Sequence, residues 1–592
     1  MALSQSLSVA TQAFNYLGTY TTVAILIVVF LYVLRQLALP KPLPGIPYDH
    51  ESAKSILGDL PGFAGSPNNR EWAMNHGIKL KSPIFQVFVK PFQKPFVFVT
   101  DFYEMVDISM RRLKEFDRSE AAISMFEGIV PEQQITLQSH DPRFKRNKEL
   151  VRDLMSPTFL HKVSAPHIYD AVLRLTDLWE KKAAFCNGKV FDAGGDIHHA
   201  ALDMILIMSF GLDLKRTHLV KKLNHLQPKD TPSNNNRTKN SRLEFEDVPL
   251  NPELSALAYL SDSTHNALRS PFPKLFHFYN RHFSSDMKKA QGLADQMRHR
   301  EIAASIQRRD KGQAEWCALD HMIARESAIA EKEGRKPNFY SQAMTRYTNA
   351  LQQVLGYLIG GHETTSSTVR WSMKYLTDDQ RAQSILRDGL KAAYPAAVSE
   401  NRPPHLSEIL TTHIPYLDAV IEENLRCSKV LPLTTRDAMV DTQVLGVPIP
   451  KGTTIALIGN GPGLTIPSTK IPFDETKYSR SATAKGYMQK YGRFDDVGIE
   501  TYYPERWLKT TTDEKGVETV EFDANAGPIF AFGLGPRGCF GRRLAYLEMR
   551  IFFTLVFWKY KFGELPTEFA AHDEVVNLTR TPVNVFVRLE KA

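Results

Sequence analysis

The chain has 592 residues, of which 43% are apolar and 23% are charged, a composition typical of a globular protein with a sizeable core. Its net charge of +8 is mild and its basic residues are scattered, so nucleic-acid binding is disfavoured, whereas a basic face for a membrane or an acidic partner protein is compatible. The four cysteines are far apart and form no CxxC pair, which argues against a zinc module or a disulfide framework.

Residues 1–34 carry no charged side chain, and Leu17–Leu34 is apolar enough to form a helix in lipid. At 1.5 Å per residue this run covers about 27 Å, close to the roughly 30 Å hydrocarbon core of a bilayer. A cleaved secretory signal is the alternative, but it would carry a basic segment before the apolar run. Arg35 and Lys41 follow the run, so the positive-inside tendency predicts a single-pass anchor with a cytoplasmic body.

A proline-rich segment, "LPKPLPGIP" at Leu39–Pro47, comes next, and its prolines cannot continue a helix. It predicts a stiff, extended spacer. The remaining chain does not break cleanly into halves, so a single large domain is compatible with its length. We therefore divide the chain into a membrane anchor (1–38), a hinge (39–50) and one large domain (51–592).

Helical periodicity dominates the first two thirds of this domain. Apolar residues recur at three- and four-residue spacing in Ser156–Phe185, Asp196–Gly211 and Asp286–Arg309. Shorter strand-like runs occur at Pro83–Thr100, Thr442–Gly459 and Val583–Glu590. This order predicts an α+β or mainly-α domain rather than an alternating β-α-β sheet. The stretch Gly459–Val497 is predicted to be an irregular insertion.

The run "FGLGPRGCFG" near the C-terminus places Cys539 among closely spaced glycines, which allow the backbone to approach a flat or bulky group. A helix-like run follows, so unpaired N–H groups and the positive end of the helix dipole favour a thiolate. Arg537 adds positive charge, which either stabilises the sulfur anion or holds an acidic group of a ligand. A thiolate in this setting suits the axial position of a haem iron; the alternative is a glycine-rich turn around a buried cysteine.

The spacing F-x-x-G-x-R-x-C-x-G resembles the haem-binding signature of the cytochrome P-450 superfamily. Its fixed positions are matched by Phe532, Gly535, Arg537, Cys539 and Gly541. The resemblance implies the cytochrome P-450 fold, mainly α with small β-sheets, preceded by a single N-terminal transmembrane helix. It also implies that Cys539 is the axial ligand of the haem iron.

A second motif, "GGHETTSS", matches the family pattern [AG]-G-x-[DE]-T-[TS]. The matched positions are Gly360, Gly361, His362, Glu363, Thr364 and Thr365. The resemblance implies that the glycines let a helix approach the haem face, and that Glu363 and Thr364 relay protons. From the residues alone, a helix-packing contact at the glycines and a back-bonded threonine explain the segment equally well. A zinc site is disfavoured because HExxH would need histidine at Ser366.

Glu423 and Arg426, in "EENLR", lie one helical turn apart and can form an ion pair. On its own such a pair is a surface contact worth little. In the family the pair is buried and is completed by an arginine, which "YYPERW" supplies as Arg506. The resemblance therefore implies a buried structural network, and its motifs together span nearly all of residues 40–592.

The residues that would bind the haem propionates depart from the family pattern. Members usually carry Trp or His four residues before an arginine on the helix that precedes "SPxF". Here the arginine is Arg152 and the aromatic position is Lys148. Either cation could bind a propionate, although only Arg152 follows the pattern. Arg436, in "LPLTTRDA", is a further candidate by position.

The resemblance implies a membrane-anchored monooxygenase that uses O2 to hydroxylate or epoxidise a hydrophobic small molecule. Electrons would come from NADPH through a membrane-bound flavoprotein reductase, which places the chain in the endoplasmic reticulum membrane with its catalytic domain in the cytoplasm. Substrate would face parts of Ala121–Leu137, Leu431–Thr435 and Leu578–Thr581. The chain is similar in general appearance to fungal members that modify secondary metabolites.

Three other functions are weaker. "GNGPG" at Gly459–Gly463 lacks the last glycine of a dinucleotide fingerprint, because Leu464 stands there. Haem-thiolate isomerases and dehydratases usually alter the acid–threonine segment or the cysteine loop, and both are intact here. A haem sensor or carrier would not need Glu363 and Thr364.

Overall fold

A computed structural model describes residues 2–592 except 67, 90, 214–216, 230–241, 271, 338, 340–348, 432 and 513–514; it leaves the side chains of 2–19 and 349–355 undescribed. Most of this chain is helical. Its first helices are α1 (Ala2–Ala38), α2 (Leu60–Gly65), α3 (Asn69–Leu80), α4 (Phe102–Met110), α5 (Glu120–Phe126), α6 (Pro142–Val151), α7 (Pro157–Phe159), α8 (Ala165–Cys186), α9 (Gly194–Phe210), α10 (His218–Asn224) and α11 (Pro252–Arg269). They are followed by α12 (Pro273–Phe283), α13 (Ser285–Asp310), α14 (Ala318–Lys332), α15 (Asn349–Asp378), α16 (Gln380–Ala393), α17 (Pro395–Ser399), α18 (Leu406–Thr411), α19 (Pro415–Ser428), α20 (Ala482–Tyr491), α21 (Arg542–Lys559) and α22 (Thr567–Ala570).

The strands are short. They are β1 (Ile84–Val87), β2 (Phe96–Val99), β3 (Phe116–Arg118), β4 (Phe191–Asp192), β5 (Leu433–Ala438), β6 (Thr442–Val444), β7 (Val447–Ile449), β8 (Thr454–Ile458), β9 (Leu508–Thr512), β10 (Glu518–Phe522), β11 (Tyr560–Phe562), β12 (Glu574–Val576), β13 (Arg580–Pro582), β14 (Phe586–Val587) and β15 (Leu589–Lys591). The largest sheet has the order β1-β2-β8-β5-β3, with β2 and β8 parallel and the other pairs antiparallel. The prediction of a mainly helical fold with small sheets is confirmed.

The main apolar core surrounds α8, α9, α15, α19 and α21. Helix α21 shows why the sequence folds this way: its buried residues include Leu544, Leu547, Ile551 and Leu555, which recur every three or four positions and form one face. Trp179 of α8 is fully buried against this part of the core. The packed helix holds the glycine-rich loop that leads into its first turn.

The stretch Gly459–Val497 was expected to be irregular, and this is wrong for α20. The side chain of Ser481 accepts the N–H of Ala484 at 3.0 Å and so caps the helix. Helix α20 packs against α4, where the carboxylate of Asp107 accepts hydrogen bonds from the hydroxyls of Ser481 (2.8 Å) and Thr483 (2.5 Å). These tertiary contacts stabilise a helix whose own apolar periodicity is weak.

Glu423 of α19 is fully buried and lies at the centre of a polar network. Arg426 donates to both of its oxygens, at 2.8 and 2.6 Å, and Arg506 donates to Oε1 at 3.1 Å. The amide of Tyr503 and the indole N–H of Trp507 complete the shell, at 2.8 and 3.0 Å. The structure thus brings together the three members of the expected network.

The same network holds the insertion in place at both of its ends. The Arg426 guanidinium donates to the carbonyls of Leu464 (3.0 Å), Ile499 (2.7 Å) and Thr501 (3.0 Å). One side chain of α19 therefore holds the chain both before and after α20.

The N-terminal helix α1 contains an apolar segment, Tyr20–Ala38, of 19 residues with mean hydropathy 2.0. Its described side chains are almost all exposed. It is the one helix within the described part of the chain that is long and apolar enough to cross a bilayer, and a signal sequence would meet the same criteria.

Replacing Glu423 tests the stabilising role of the network. Glu423→Gln leaves two buried guanidiniums without their counter-charge, so we expect the free energy of unfolding to fall by about 3–5 kcal/mol. Denaturant unfolding measures this loss. Glu521→Gln is the matched control, because its partner Lys509 lies 3.6 Å away and both side chains are about half exposed; it should cost at most about 1 kcal/mol. Equal losses in the two variants would contradict the assignment.

Candidate active site

A cavity of about 1640 Å³ lies between α15, the glycine-rich loop and the five-stranded sheet. It is larger than the roughly 300–1,000 Å³ of most small-molecule sites. Its walls are mainly apolar and include Phe126, Ile205, Met208, Ile359 and Leu433. The space is large enough for a flat cofactor with an apolar substrate beside it.

The glycine-rich loop closes one wall of this cavity in a tight conformation. The amide of Cys539 donates to the carbonyl of Phe532 at 2.8 Å, which folds the loop back on itself. Gly535 has φ +69°, and a Cβ atom there would lie 2.1 Å from the carbonyl oxygen of Ser109 at the end of α4. Only glycine fits this position. The loop therefore holds the cysteine at a fixed point of the wall.

Cys539 lies three residues before α21 rather than in its first turn, and its side chain opens into the cavity. Burial away from bulk solvent raises the pKa of its thiol, although the amide of Gly541 and the charge of Arg542 lower it in part. The expected position of Cys539 at the start of the helix is therefore wrong, although the Gly541 amide and the Arg542 charge act on the thiol in the expected direction. A bound metal ion would remove the proton.

Three arginines meet at one end of the cavity. Arg118 of β3 is paired in register with Arg436 of β5, and Arg537 of the loop lies beside them. Among the described residues, their counter-ion is Asp117, 3.3 Å from Arg537. Burial first, and then the neighbouring cations, lower the pKa of Arg118 to about 9 and that of Arg436 to about 10.

Among the described residues, this cluster contains more cations than anions. The Nε of Arg118 is buried and has no hydrogen-bond partner in the described part of the chain. A buried donor without a partner is costly, and buried cations require counter-charge. The two propionates of a haem whose iron is bound by Cys539 would supply both, so the residues present fit this cofactor.

The two cations expected on α6 do not behave alike. Lys148 lines the cavity, with its Nζ 3.4 Å from the carbonyl of Pro536. Four residues earlier, the ring of Phe144 lies 4.0 Å from the Arg537 guanidinium. Arg152 lies beyond the end of α6, is 59% exposed and pairs with Glu149 at 3.0 Å. The aromatic–cation pair near the loop is therefore Phe144 and Lys148, one helical turn before the expected positions 148 and 152. Arg152 does not line the cavity.

The acid–threonine segment of α15 forms another wall. A Cβ atom added at Gly360 would meet nothing within 4 Å, so the helix leaves open space there for a ligand. The Thr364 hydroxyl also faces the cavity and donates to the carbonyl of Gly360 at 2.6 Å, as a back-bonded threonine does. Gly361 packs instead against Ile205 of α9. The ligand-facing interpretation therefore applies to Gly360, and the helix-packing interpretation applies to Gly361.

Glu363 turns toward α11 rather than toward Thr364. Its Oε2 lies 3.2 Å from Nε2 of His265, and its Oε1 accepts the Thr579 hydroxyl at 2.8 Å. Burial raises the pKa of Glu363, but the contacts with His265 and Thr579 outweigh burial and lower it to about 2. The carboxyl group is therefore ionised at neutral pH.

Sequence reasoning missed three polar residues of the site: Arg118, His265 and Glu548. Arg118 is a single arginine in a short strand, and only the β3–β5 register places it beside Arg436. Glu548 is a buried acid within the apolar α21; burial raises its pKa to about 7, although the Thr365 hydroxyl donates to it at 2.9 Å. For Glu548 the sequence does offer a signal, because an acid stands inside an apolar helix. Arg118 and His265 join the site only through tertiary contacts.

Described residues from each of the three expected substrate-facing segments line the cavity, and Pro432 lies outside the described residues. Examples are Ile135, Thr434 and Leu578. Outside the expected segments, Leu268 at the end of α11 and Pro273 at the start of α12 also line the cavity.

Comparison with known proteins gives a consistent picture. The chain matches the family model for Cytochrome P450 over residues 54–461 and 500–586, so the unmatched segment coincides closely with the insertion that carries α20. It is 33% identical over 589 residues to cytochrome P450 monooxygenase TRI13 of Fusarium sporotrichioides, covering 96% of this chain and 98% of the relative. It is 34% identical to cytochrome P450 monooxygenase GME11363 of Pestalotiopsis microspora over 588 residues, 97% and 98% of the two chains. It is also 33% identical to cytochrome P450 monooxygenase xilC of Penicillium crustosum over 566 residues, 95% and 94% of the two chains.

The cation cluster yields a direct test. Arg118→Met removes a charge-assisted hydrogen bond worth about 1.5–3 kcal/mol, so we expect the affinity of the apoprotein for hemin to fall about 10- to 100-fold. Absorbance titration with hemin measures the affinity. Arg152→Met is the matched control and should bind hemin as the wild type does. Loss of affinity in Arg152→Met, with Arg118→Met unaffected, would contradict the geometry.

Proposed function

Because this chain belongs to the cytochrome P450 family and is a monooxygenase of that family, we propose that it acts, anchored in a membrane, on a hydrophobic small molecule. The observation that carries this proposal is the position of Cys539: it opens into a large apolar cavity that also holds the arginine cluster. Haem, once bound, supplies the activation of O2 and the insertion of one oxygen atom into a C–H bond or a double bond.

The chain's own residues bind and orient this cofactor. Cys539 would bind the iron of the cofactor through its sulfur, and because burial raises the pKa of its thiol, the loss of its proton would be coupled to metal binding. Arg118, Arg436 and Arg537 hold the propionates, with Lys148 close to the same loop. These groups lie on a strand pair, a helix and a tight loop, so they fix the cofactor in one orientation.

Proton movement is assigned to α15. The Thr364 hydroxyl faces the cavity, so it can pass a proton to a group bound there. Glu363, the preceding residue, is ionised and partly accessible, so it can accept a proton from the protein side. Two electrons must also enter, and we assign their delivery to an NADPH-dependent flavoprotein reductase on the cytoplasmic side.

The substrate proposal rests on the lining of the cavity and on the sources of the relatives. Hydroxylation or epoxidation of an apolar scaffold suits walls made mostly of aliphatic and aromatic side chains. The relatives named above come from fungi. We infer that the substrate is a fungal secondary metabolite, and spectral binding shifts against terpenoid, polyketide and alkaloid scaffolds would identify its class.

A membrane location is supported by two surfaces. Helix α1 is long and apolar enough to span a bilayer. Helix α12 exposes the large apolar side chains Leu275, Phe278 and Phe283, while Pro273 at its start lines the cavity. A lipid-facing α12 would let a substrate dissolved in the bilayer enter the cavity directly. We assign the chain to the endoplasmic reticulum membrane, with residues 39–50 as the hinge and 51–592 as the catalytic domain.

The thiolate assignment is tested by the reduced carbon-monoxide complex. An anionic sulfur ligand should give the red-shifted Soret band that names the family, and Cys539→Ala should abolish it. Cys186→Ala is the matched control, because this cysteine is buried in the core away from the cavity. Persistence of the band in Cys539→Ala would refute the proposal.

Removal of residues 1–38 tests the anchor. The full chain should stay in the membrane pellet after a carbonate wash, whereas the truncated chain should shift toward the soluble fraction with its carbon-monoxide spectrum unchanged. Full retention of a correctly folded truncated protein in the pellet would show that α1 is not the anchor.

A further inference from the structure

His265 is a buried histidine whose position the proposed reaction has not yet used. It lies on α11, its side chain is 10% exposed, and its Nε2 is 3.2 Å from Oε2 of Glu363. The contact is an ion pair rather than a well-aligned hydrogen bond. Thr579 holds the other carboxylate oxygen at 2.8 Å. Glu363 is thus held between α11 and the turn that joins β12 to β13.

The other side of the imidazole faces the protein surface. Asp262, one helical turn earlier on α11, has a 72% exposed side chain, and its Oδ1 is 3.8 Å from Nδ1 of His265. The ring therefore lies between a solvent-exposed carboxylate and the partly buried Glu363. A single side chain joins the surface to the acid beside the cavity.

The charges around this pair determine its protonation. Burial lowers the pKa of His265, but Glu363 and Asp262 raise it above its usual value in spite of Arg269 on the same helix. On the α15 side, burial lowers the pKa of His362, and the neighbouring His198 of α9 has its pKa lowered to about 3, again chiefly by burial. Two further cations of the described chain act here: Arg370 of α15 interacts with Glu363, and Lys222 of α10 interacts with His198. Of the three histidines, His265 is the one whose environment favours the charged form.

We propose that His265 is the proton donor to Glu363, and that the Asp262–His265–Glu363 line is the path by which solvent protons reach the active site. This role rests on the proposed function, since it supplies the protons that oxygen activation consumes. His265 acts through Glu363 and is a positioning and relay residue rather than one that touches the cofactor.

The transfer balances in protons and charge. The imidazolium gives its Nε2 proton to Oε2 of Glu363, which leaves a neutral imidazole and a neutral carboxylic acid. Rotation of the protonated side chain away from α11 then carries this proton toward Thr364, where the acid releases it into the cavity and becomes a carboxylate again. Rotation of the ring brings its bare nitrogen toward Asp262, where solvent returns a proton and restores the ion pair.

Burial lowers the energetic cost of the intermediate state. It is the largest single influence on Glu363, and it favours the neutral carboxylic acid. While His265 is charged, its attraction overcomes this effect. Once the imidazole has lost its proton, the attraction is gone and Glu363 holds the proton more readily than it does in the ion pair.

Infrared difference spectra provide a test that does not depend on turnover. In the wild type, Glu363 should stay ionised in mildly acidic buffer, since its pKa is about 2. In His265→Gln the carboxyl group should protonate in the same range, giving a carboxylic-acid band that the double variant with Glu363→Gln lacks. Identical spectra for the wild type and His265→Gln would overturn the electrostatic basis of the proposal.

Turnover then tests the relay. With the compound that gives the largest spectral shift in the scaffold panel, product formed per NADPH should fall in the wild type as pH rises from about 6 to about 9, because His265 loses its proton. In His265→Gln this ratio should be at least about tenfold lower and nearly independent of pH, with peroxide as the alternative product.

The matched control is His198→Gln, which replaces a partly buried histidine whose ring centroid lies 4.8 Å from that of His362. Among the described contacts, His198 makes no hydrogen bond or ion pair with Glu363. It should keep the wild-type pH profile. A wild-type ratio and profile in a folded His265→Gln protein would overturn the relay. Absence of the red-shifted carbon-monoxide band in the wild type would instead refute the proposed function, and the infrared result would still report on the ion pair.

Discussion

Burial of three guanidinium groups around a single carboxylate is the constraint on which the site depends. Arg118, Arg436 and Arg537 are held together by the β3–β5 register and by the glycine-rich loop, so they cannot move apart to relieve their repulsion. Such an arrangement is costly in an empty protein and favourable around a dianionic ligand. Cofactor binding should therefore stabilise the fold by linkage, and the same charges select the orientation of the cofactor.

The rest of the fold keeps these groups in place. Gly535 allows the loop to lie against the backbone of Ser109, so that Cys539 faces the cavity at a fixed height. The Glu423–Arg426 pair, whose arginine also lines the cavity, binds the chain on both sides of the insertion. The segment between 462 and 499, which the family model does not match, is thereby fixed at its ends, and its residues Leu464 and Tyr491 also line the cavity.

The sequence was most informative where chemistry requires a fixed local pattern. The mainly helical class and the family follow from helical periodicity and the Cys539 signature, and both are confirmed. Contacts between distant segments were less visible: Arg118 becomes significant only through strand register, and His265 only because α11 crosses α15. Arg152 was predicted to bind a haem propionate because the sequence spacing places it on α6. The spacing cannot show that this helix ends at Val151.

The central claim is that one anionic cofactor satisfies both Cys539 and the arginine cluster. An experimental structure of the purified protein tests this most directly. The account predicts a haem in the cavity with the Cys539 sulfur bound to the iron and its propionates hydrogen-bonded to Arg118 and Arg436. Propionates directed to another wall, or an axial ligand other than Cys539, would contradict it.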